Sequence, residues 1–518
     1  MEISTNNAYD VIIIGAGHNG LTAAALLAKQ GRQVMVLERR SIIGGLAAGE
    51  EFHPRYHTGG LLHDASQVRA RIVRALDLKS HGLKILSQRP SVLALDHPRR
   101  GILLGNKDRI NAKEIGSYSP EDAKQYIKYR KFIRRVAGFV NRLFDEPPPA
   151  VASPGSRTLW NLLKTGFMLR RLGKTTMLEL LRVAPMSAAD WLNEWFETDC
   201  LKGALANAGL GGNFVAPRSP GSAFNLLLWE CAARHHIQGG PRALIAALEK
   251  AAKSQGVEIR TESEVSEIQV SAGRVKGVVL KNGERLPAAV VAASCDPRQT
   301  FLDLVPDHQI ENWLKRRIQH IRGTGSTAKV NLALDTQLEF NGRSGEKIEF
   351  ARTGGHLDHI EKAFDACKYG RIAADPVLDI QVPTVSNPDL APPGNSVASI
   401  LVHFVPYSLQ PQWDKDQIEK LGDTVVATLE KCAPGVTGAI VARQVLSPVD
   451  LEERYGLPKG HILHGDHALD QLVLRPTPEC ARYHTPIAGL YLCGSGSHPG
   501  GGITCGPGAL AASVIAKT

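Results

Sequence analysis

Residues 11–38 read VIIIGAGHNGLTAAALLAKQGRQVMVLE, and the order of signals in this stretch decides the fold. The apolar run Val11–Ile14 opens into a turn holding Gly15, Gly17 and Gly20. An apolar helical segment, Leu21–Lys29, comes next, and a second apolar run, Val34–Leu37, ends on Glu38. Gly15 permits the tight turn, Gly17 lets backbone approach a pyrophosphate, and Gly20 lets helix and strand pack closely. The helix N-terminus, at His18 and Asn19, then faces phosphates, and Glu38 can accept hydrogen bonds from an unmodified ribose. A chance glycine turn supplies none of the surrounding order, so the reading is an adenine-dinucleotide site.

The next residues bear on which dinucleotide. Glu38 leads through Arg39 and Arg40 to Gly44-Gly45-Leu46-Ala47. A second glycine pair beyond the acid suits a cofactor that continues past the pyrophosphate, as the ribityl-flavin half of FAD does. Alone, the pair reads equally well as a turn. The far end of the chain, GLYLCGSGSHPGGGITCGPG at 489–508, breaks the tie. It reads as a short buried strand ending at Gly494-Ser495, then a turn through Gly501, Gly502 and Ile503, then a closing helix, Ala509–Ala516. Glycine-rich turns at strand ends and helix starts expose backbone donors. Two of them, from opposite chain ends, fit one extended FAD lying between them.

These segments resemble the phytoene desaturase-related FAD oxidoreductases, and within them the branch of the pyridine nucleotide-disulphide oxidoreductase domain-containing protein 2 family. Retinol saturases and carotene isomerases stand further off. The likeness continues through GGPRALIAALEKAAKSQGVEIRTESEV (239–265), STAKVNLALD (326–335) and SPVDLEERYGLPKGHILHGDHALDQL (447–472), and is patchy between 80 and 185. It implies a two-domain α/β fold of the glutathione-reductase-2 type. A Rossmann-like FAD domain would pair with an α+β substrate domain built on a mainly antiparallel sheet. It also implies that Val265 holds the adenine through its backbone, and that Thr58-Gly59-Gly60 pass near the flavin ring. Ser495 stands where relatives often carry an acid on the ribityl chain. The implied activity is dehydrogenation or saturation of an apolar, isoprenoid or polyene-like molecule by hydride transfer at flavin N5. Oxygen, a quinone or another oxidant would be the electron acceptor. Two further readings stay open: a cis–trans isomerase without net redox, and a flavin-bearing regulatory protein.

Bulk properties narrow the class. A chain of 518 residues has room for two or three domains. No apolar run reaches the ~18–20 residues that span a bilayer. Met1–Asp10 is short, polar and acidic, unlike a signal or transit peptide, so a cytoplasmic protein is expected. The eight cysteines are scattered and none forms C-x-x-C, which removes a disulphide reductase, a disulphide framework and a thiolate zinc site. His461, His464 and His467, and the pair His235-His236, lack metal-ligand spacing, and no metal is expected.

The net charge of +10 is concentrated between Lys124 and Lys174. Ser119-Pro120 starts a helix there, with Tyr129, Phe132, Ile133, Val136, Val140 and Leu143 at helical spacing beside Arg130, Lys131, Arg134 and Arg135. Pro147-Pro148-Pro149 ends it, and Leu159–Leu172 repeats the basic amphipathic theme after a Pro/Ser/Gly linker. Across 119–174 the alternatives are peripheral contact with an anionic membrane and a solvated face of a cap helix. No nucleic-acid module accompanies the patch, and an oligomer remains open.

The FAD domain is read as three pieces, 1–70, 238–300 and 480–518, and the substrate domain as 71–237 and 301–479. In the middle piece, Pro241–Gln255 reads as a helix and Val257–Arg260 as a strand. Val265–Val270, Arg274–Leu280 and Arg285–Ala293 then form a meander turning at Asn282-Gly283. Ala328–Leu334 and Val397–Val405 are candidate substrate-domain strands. Flavin supplies the redox power, so the protein must bind, orient and accept a proton. His498, His57 and Lys329 are the catalytic candidates. His498 lies in the C-terminal motif, and His57 lies with His63 around Thr58-Gly59-Gly60. Lys329 lies in an apolar strand, where a lysine is rare and its pKa readily shifts.

Overall fold

The computed structural model describes residues 9–86, 91–96, 98–150 and 155–518. Residues 1–8 and the linker segment 151–154 lie outside them. The strand Tyr9–Ile14 sits inside a parallel sheet, between Val34–Leu37 and Arg285–Ala293. Glu258–Arg260 extends it on one side, and Leu490–Leu492 pairs in parallel with Arg285–Ala293. The antiparallel meander Val265–Ser271, Arg274–Leu280 and Arg285–Ala293 completes this seven-stranded sheet, turning at Gly283 with a positive φ. Parallel strands flanked by helices are buried on both faces, which explains the unbroken apolar runs. Ile13 and Val36 face the helices His18–Ala28, Gly240–Ser254 and Gly506–Ile515. Ile12 and Met35 face a second core beneath the meander.

The cores run past the expected boundaries. Leu76, Leu78 and Leu83 join the first, and Phe301, Leu304, Leu314 and Ile318 join the second. The cause is apolar burial, since the leucines, Phe301 and Ile318 beyond positions 70 and 300 pack into these cores.

A second seven-stranded sheet runs in the order Ile440–Leu446, Thr327–Leu334, Ser396–His403, Val377–Gln381, Phe350–Arg352, Val92–Asp96, Arg99–Leu104. Its pairings are antiparallel except that of Phe350–Arg352 with Val92–Asp96. One face carries the helix Lys415–Cys432. The other meets a helical layer that includes Pro120–Asp145, Asp199–Leu210 and Ser222–Cys231.

The helix Pro120–Asp145 starts as expected: Ser119 Oγ accepts from the Asp122 amide at 3.1 Å. Its cationic face is not uniformly solvated, however. Arg130 and Arg134 both pair with Asp108, and Arg130 also pairs with Glu230. Acids distant in sequence compensate this part of the basic run. Phe144 is buried where the helical spacing had placed Leu143, which is exposed.

Close backbone approach holds the first domain together. A Cβ on Gly20 would lie 2.0 Å from the Gly15 carbonyl oxygen, and one on Gly508 would lie 2.1 Å from that of Asn19. Gly508→Ala should therefore force the closing helix away from His18–Ala28 and destabilise the protein by about 1–3 kcal/mol. Thermal melts of the flavin-loaded protein check this, and an unchanged Tm would refute the packing argument.

Candidate functional site

The turn after Tyr9–Ile14 opens on a broad cleft. Gly17, His18, Asn19, Glu38, Arg39, Arg40, Gly45, Leu46, Val265 and Ser495 all line it. Gly15 adopts φ +96°, and a Cβ on Gly17 would meet no protein atom within 4 Å. That open side is the space a pyrophosphate needs. Glu38 is buried, with Oε2 accepting from the Ala16 amide at 2.9 Å and Oε1 from the Arg40 amide at 3.0 Å. Each carboxylate oxygen keeps a further lone pair for a ribose hydroxyl. Arg39 donates to the Glu453 carbonyl oxygen. Arg40 pairs with Glu50 at 2.6 Å and lies over the Tyr455 ring.

The two chain ends meet here. Asn19 Nδ2 donates to Ser495 Oγ at 3.2 Å, across 476 residues of sequence. Gly494 is pressed against Ser294, whose carbonyl oxygen would lie 2.2 Å from an added Cβ. His18 Nε2 and Asn19 Oδ1 are buried without a protein partner among the described residues. Orphaned polar atoms beside an empty glycine cradle fit an anionic, hydrogen-bonding ligand.

The glycine pair continues this wall. Gly44 donates to the Ala16 carbonyl oxygen at 2.9 Å, and Gly45–Ala47 forms a short 3₁₀ turn. Gly60, at φ +138°, packs on Leu46 and Ala47. Thr58 Oγ1 reaches the Glu50 backbone, and Gly59 approaches Gln381 and Pro383 of the second domain. At the C-terminus, Gly501 and Gly502 line a neighbouring cavity with His467, whose Nε2 accepts from the Gly501 amide at 3.0 Å. Ile503 is buried in the first core.

The catalytic candidates separate. Lys329 is buried in Thr327–Leu334, where Nζ donates to the Leu61 carbonyl oxygen at 2.9 Å and hydrogen-bonds His63 Nε2. Burial drives the pKa of Lys329 well below the usual lysine value, and that of His63 well below the usual histidine value. His498 is placed differently. Its ring stacks on Phe144, Nε2 faces the Leu143 carbonyl oxygen at 3.1 Å, and it lines none of the cavities described. His57, half-buried on the short strand Tyr56–His57, likewise lines none of them.

His63 instead lines a pocket between the second sheet and the helical layer. Val92, Ala94, Leu104, Leu205 and Trp229 give it apolar walls, while Asp64, Arg130, Glu230, Arg234, His235, His236, Arg352, Asp379 and Glu349 add ionisable groups. Arg352 pairs with Asp379 at 3.3 Å and lies over Trp229. Burial raises the Glu349 pKa. Sequence reading missed this cluster. Its available signal was a charged residue inside each of two short apolar strands, Arg352 in Phe350–Arg352 and Asp379 in Val377–Gln381.

The histidine-rich loop proves to be a buried brace. His461 Nε2 meets Asp466 at 2.9 Å, and Arg475 donates to the carbonyl oxygens of Leu463, His464, Gly465 and Gly496. His464 lines the dinucleotide cleft.

Comparison with known proteins identifies the family. Residues 13–72 match the model of an NAD(P)-binding Rossmann-like domain, and residues 114–515 that of flavin containing amine oxidoreductase. The chain belongs to the flavin-containing amine oxidoreductases. It is 34% identical to pyridine nucleotide-disulfide oxidoreductase domain-containing protein 2 of Rattus norvegicus, over 98% of this chain and 93% of that protein. A limonene dehydrogenase polypeptide of Castellaniella defragrans is 27% identical, covering 98% of this chain and 94% of that one. A neurosporene-forming phytoene desaturase of Cereibacter sphaeroides is 28% identical over 55% and 53% of the two chains. An oxidoreductase structure from Methanosarcina mazei superposes with a TM-score of 0.60 at 17% identity, over 98% of this chain and all of that one, which shows the shared fold. This member of the family is an FAD-dependent oxidoreductase. Its cleft residues would hold the dinucleotide at the glycine cradle and Glu38, and the bound flavin would supply the redox centre.

The cradle geometry makes Gly17 a direct test. Gly17→Val should abolish the yellow colour on purification while leaving the circular dichroism spectrum unchanged, because the added Cβ enters ligand space and meets no protein atom within 4 Å. Stoichiometric FAD in that variant would refute the cradle. The buried histidines predict a pH dependence. Burial holds His18, His403, His464 and His498 neutral down to about 4. Below about 6.5 the unfolded chain binds more protons at these sites than the native chain, so stability falls as pH drops through that window. Denaturant midpoints should therefore decline from neutral pH to about pH 5, and His403→Gln should flatten the slope. A slope unchanged in His403→Gln would contradict its buried, neutral state.

Proposed function

We propose that this flavoenzyme dehydrogenates, or in reverse saturates, an isoprenoid or terpene-like small molecule bound in the cavity beside His63. The observation that carries the reading is His63 itself. It is buried, lines that cavity, leaves Nδ1 without a protein partner among the described residues, and is bonded through Nε2 to Lys329. Dehydrogenation removes a proton from the substrate as well as a hydride, and we assign that proton to His63 Nδ1, the ring nitrogen left without a protein partner among the described residues. Lys329 sets the tautomer: Nε2–H donating to a neutral Lys329 amine leaves Nδ1 as acceptor, whereas Lys329 donating to Nε2 puts the ring proton on Nδ1 and leaves it as donor. The apolar walls favour a hydrocarbon body, and the Arg352–Asp379 pair and its polar neighbours favour a polar group on it. Support for the substrate class comes from the limonene dehydrogenase and phytoene desaturase relatives. His498, enclosed by Phe144 and Leu143, is better suited to holding its turn than to touching substrate.

Anaerobic mixing with a panel of terpenes and polyenes tests the reading. The flavin band should bleach with a matching substrate, the product should differ by two hydrogens, and a quinone or oxygen should restore the colour. A product changed only in double-bond geometry, with no acceptor consumed, would instead establish the isomerase. His63→Ala should slow flavin reduction on the order of 10²–10⁴-fold with FAD content unchanged. Lys329→Met should shift the pH profile of that step. Wild-type reduction rates in His63→Ala would remove it from the proton path.

A further inference from the structure

Exposed large apolar side chains gather on one segment. In the helix Ser156–Arg171, Leu159, Trp160, Leu163 and Phe167 are 60–68% exposed. Leu178 and Leu181 of the next helix, Lys174–Val183, are more than half exposed. Spacing of i, i+1, i+4 and i+8 puts the first four on one face. Leu169 and Leu172 instead pack against the helical core. A contiguous exposed face of this kind marks an interaction surface.

Charge indicates what covers it. Lys164, Arg170, Arg171 and Lys174 are exposed beside the apolar face, and none forms an ion pair among the described residues. No acidic residue lies between Gly155 and Lys174. The carboxylates that neutralise Arg130 and Arg134 on the neighbouring helix are missing here. A second copy of the chain placed face to face would bring like charges together, whereas an anionic bilayer surface complements both features. Tryptophan suits the headgroup boundary, and basic side chains reach the lipid phosphates while their stems lie along the apolar layer. No helix among the described residues is long and apolar enough to cross a membrane, so the contact is peripheral.

We propose that the helix Ser156–Arg171 docks the protein on an anionic membrane surface, with Trp160 and Phe167 entering the interface and Lys164, Arg170 and Arg171 meeting lipid headgroups. This moves the membrane contact away from the helix Pro120–Asp145, and it stands independently of the substrate assignment.

Flavin-loaded full-length protein is sedimented with phosphatidylcholine vesicles with and without phosphatidylserine. Binding should require phosphatidylserine and weaken as salt rises. Charge reversal at Lys164, Arg170 and Arg171 should weaken it by more than roughly fivefold per residue. Trp160→Ser with Phe167→Ser should lower partitioning on the order of tenfold or more, with FAD content retained as the folding control. Lipids brominated near the headgroup should quench wild-type tryptophan emission more than that of Trp160→Ser. Absence of wild-type binding, or full binding by the charge-reversed protein, would overturn the proposal. So would a dimer dissolved by the Trp160→Ser, Phe167→Ser pair with no lipid binding.

Discussion

The carbonyl oxygen of Gly15 occupies the place where a side chain on Gly20 would begin. That approach presses the helix His18–Ala28 against the strand it follows and aims its first turn into the cleft. The closing helix can then settle over the same turn, because Gly508 lets it rest on the Asn19 backbone. Asn19 in turn reaches Ser495, so the position of the last structured loop depends on the packing of the first. A methyl group at either glycine would displace both walls of the dinucleotide site together. Dense interiors transmit such shifts because they contain few voids to absorb them.

The second domain is joined to the first through the loop at 56–63 and the histidine-rich segment at 461–467. Leu61 and His63 receive Lys329 from the second sheet, and Gly60 packs on the turn at Leu46-Ala47. Enclosure of this kind lowers a lysine's pKa through desolvation, which makes its proton sensitive to its neighbours. Arg475 and Asp466 fix the histidine-rich segment by bonding its carbonyls and His461. His464 and His467 thereby stand beside the cleft and the cavity next to it. Buried polar contacts of this density hold backbone in place where glycine-rich turns would otherwise leave it free.

The cofactor half of the site was legible because its chemistry is local. Gly15, Gly17, Gly20 and Glu38 lie within one strand–turn–helix–strand unit, and their spacing carries their geometry. The hairpin at Asn282-Gly283 and the Ser119 cap were legible for the same reason, since turns and caps depend on a few adjacent residues. The catalytic half was not. His498 and His63 both sit in glycine-flanked motifs, and nothing near either distinguishes a ring stacked on Phe144 from one that opens on a cavity. The basic run around Arg130 misled similarly, because Asp108 and Glu230 reach it from outside the segment.

Short-range pattern determined the Rossmann-like unit and its dinucleotide turn, through backbone sterics and apolar periodicity within a few dozen residues. Resemblance along the whole chain supplied the family and the two-domain α/β class. Contacts between distant parts of the chain decided the rest: the Lys329–His63 pair, the Arg352–Asp379 pair in the cavity wall, and which basic helix stays uncompensated. Burial and charge pairing at these places are set by residues outside the local segment, from 22 positions away for Arg130 and Asp108 to 266 for Lys329 and His63, and no local pattern encodes them.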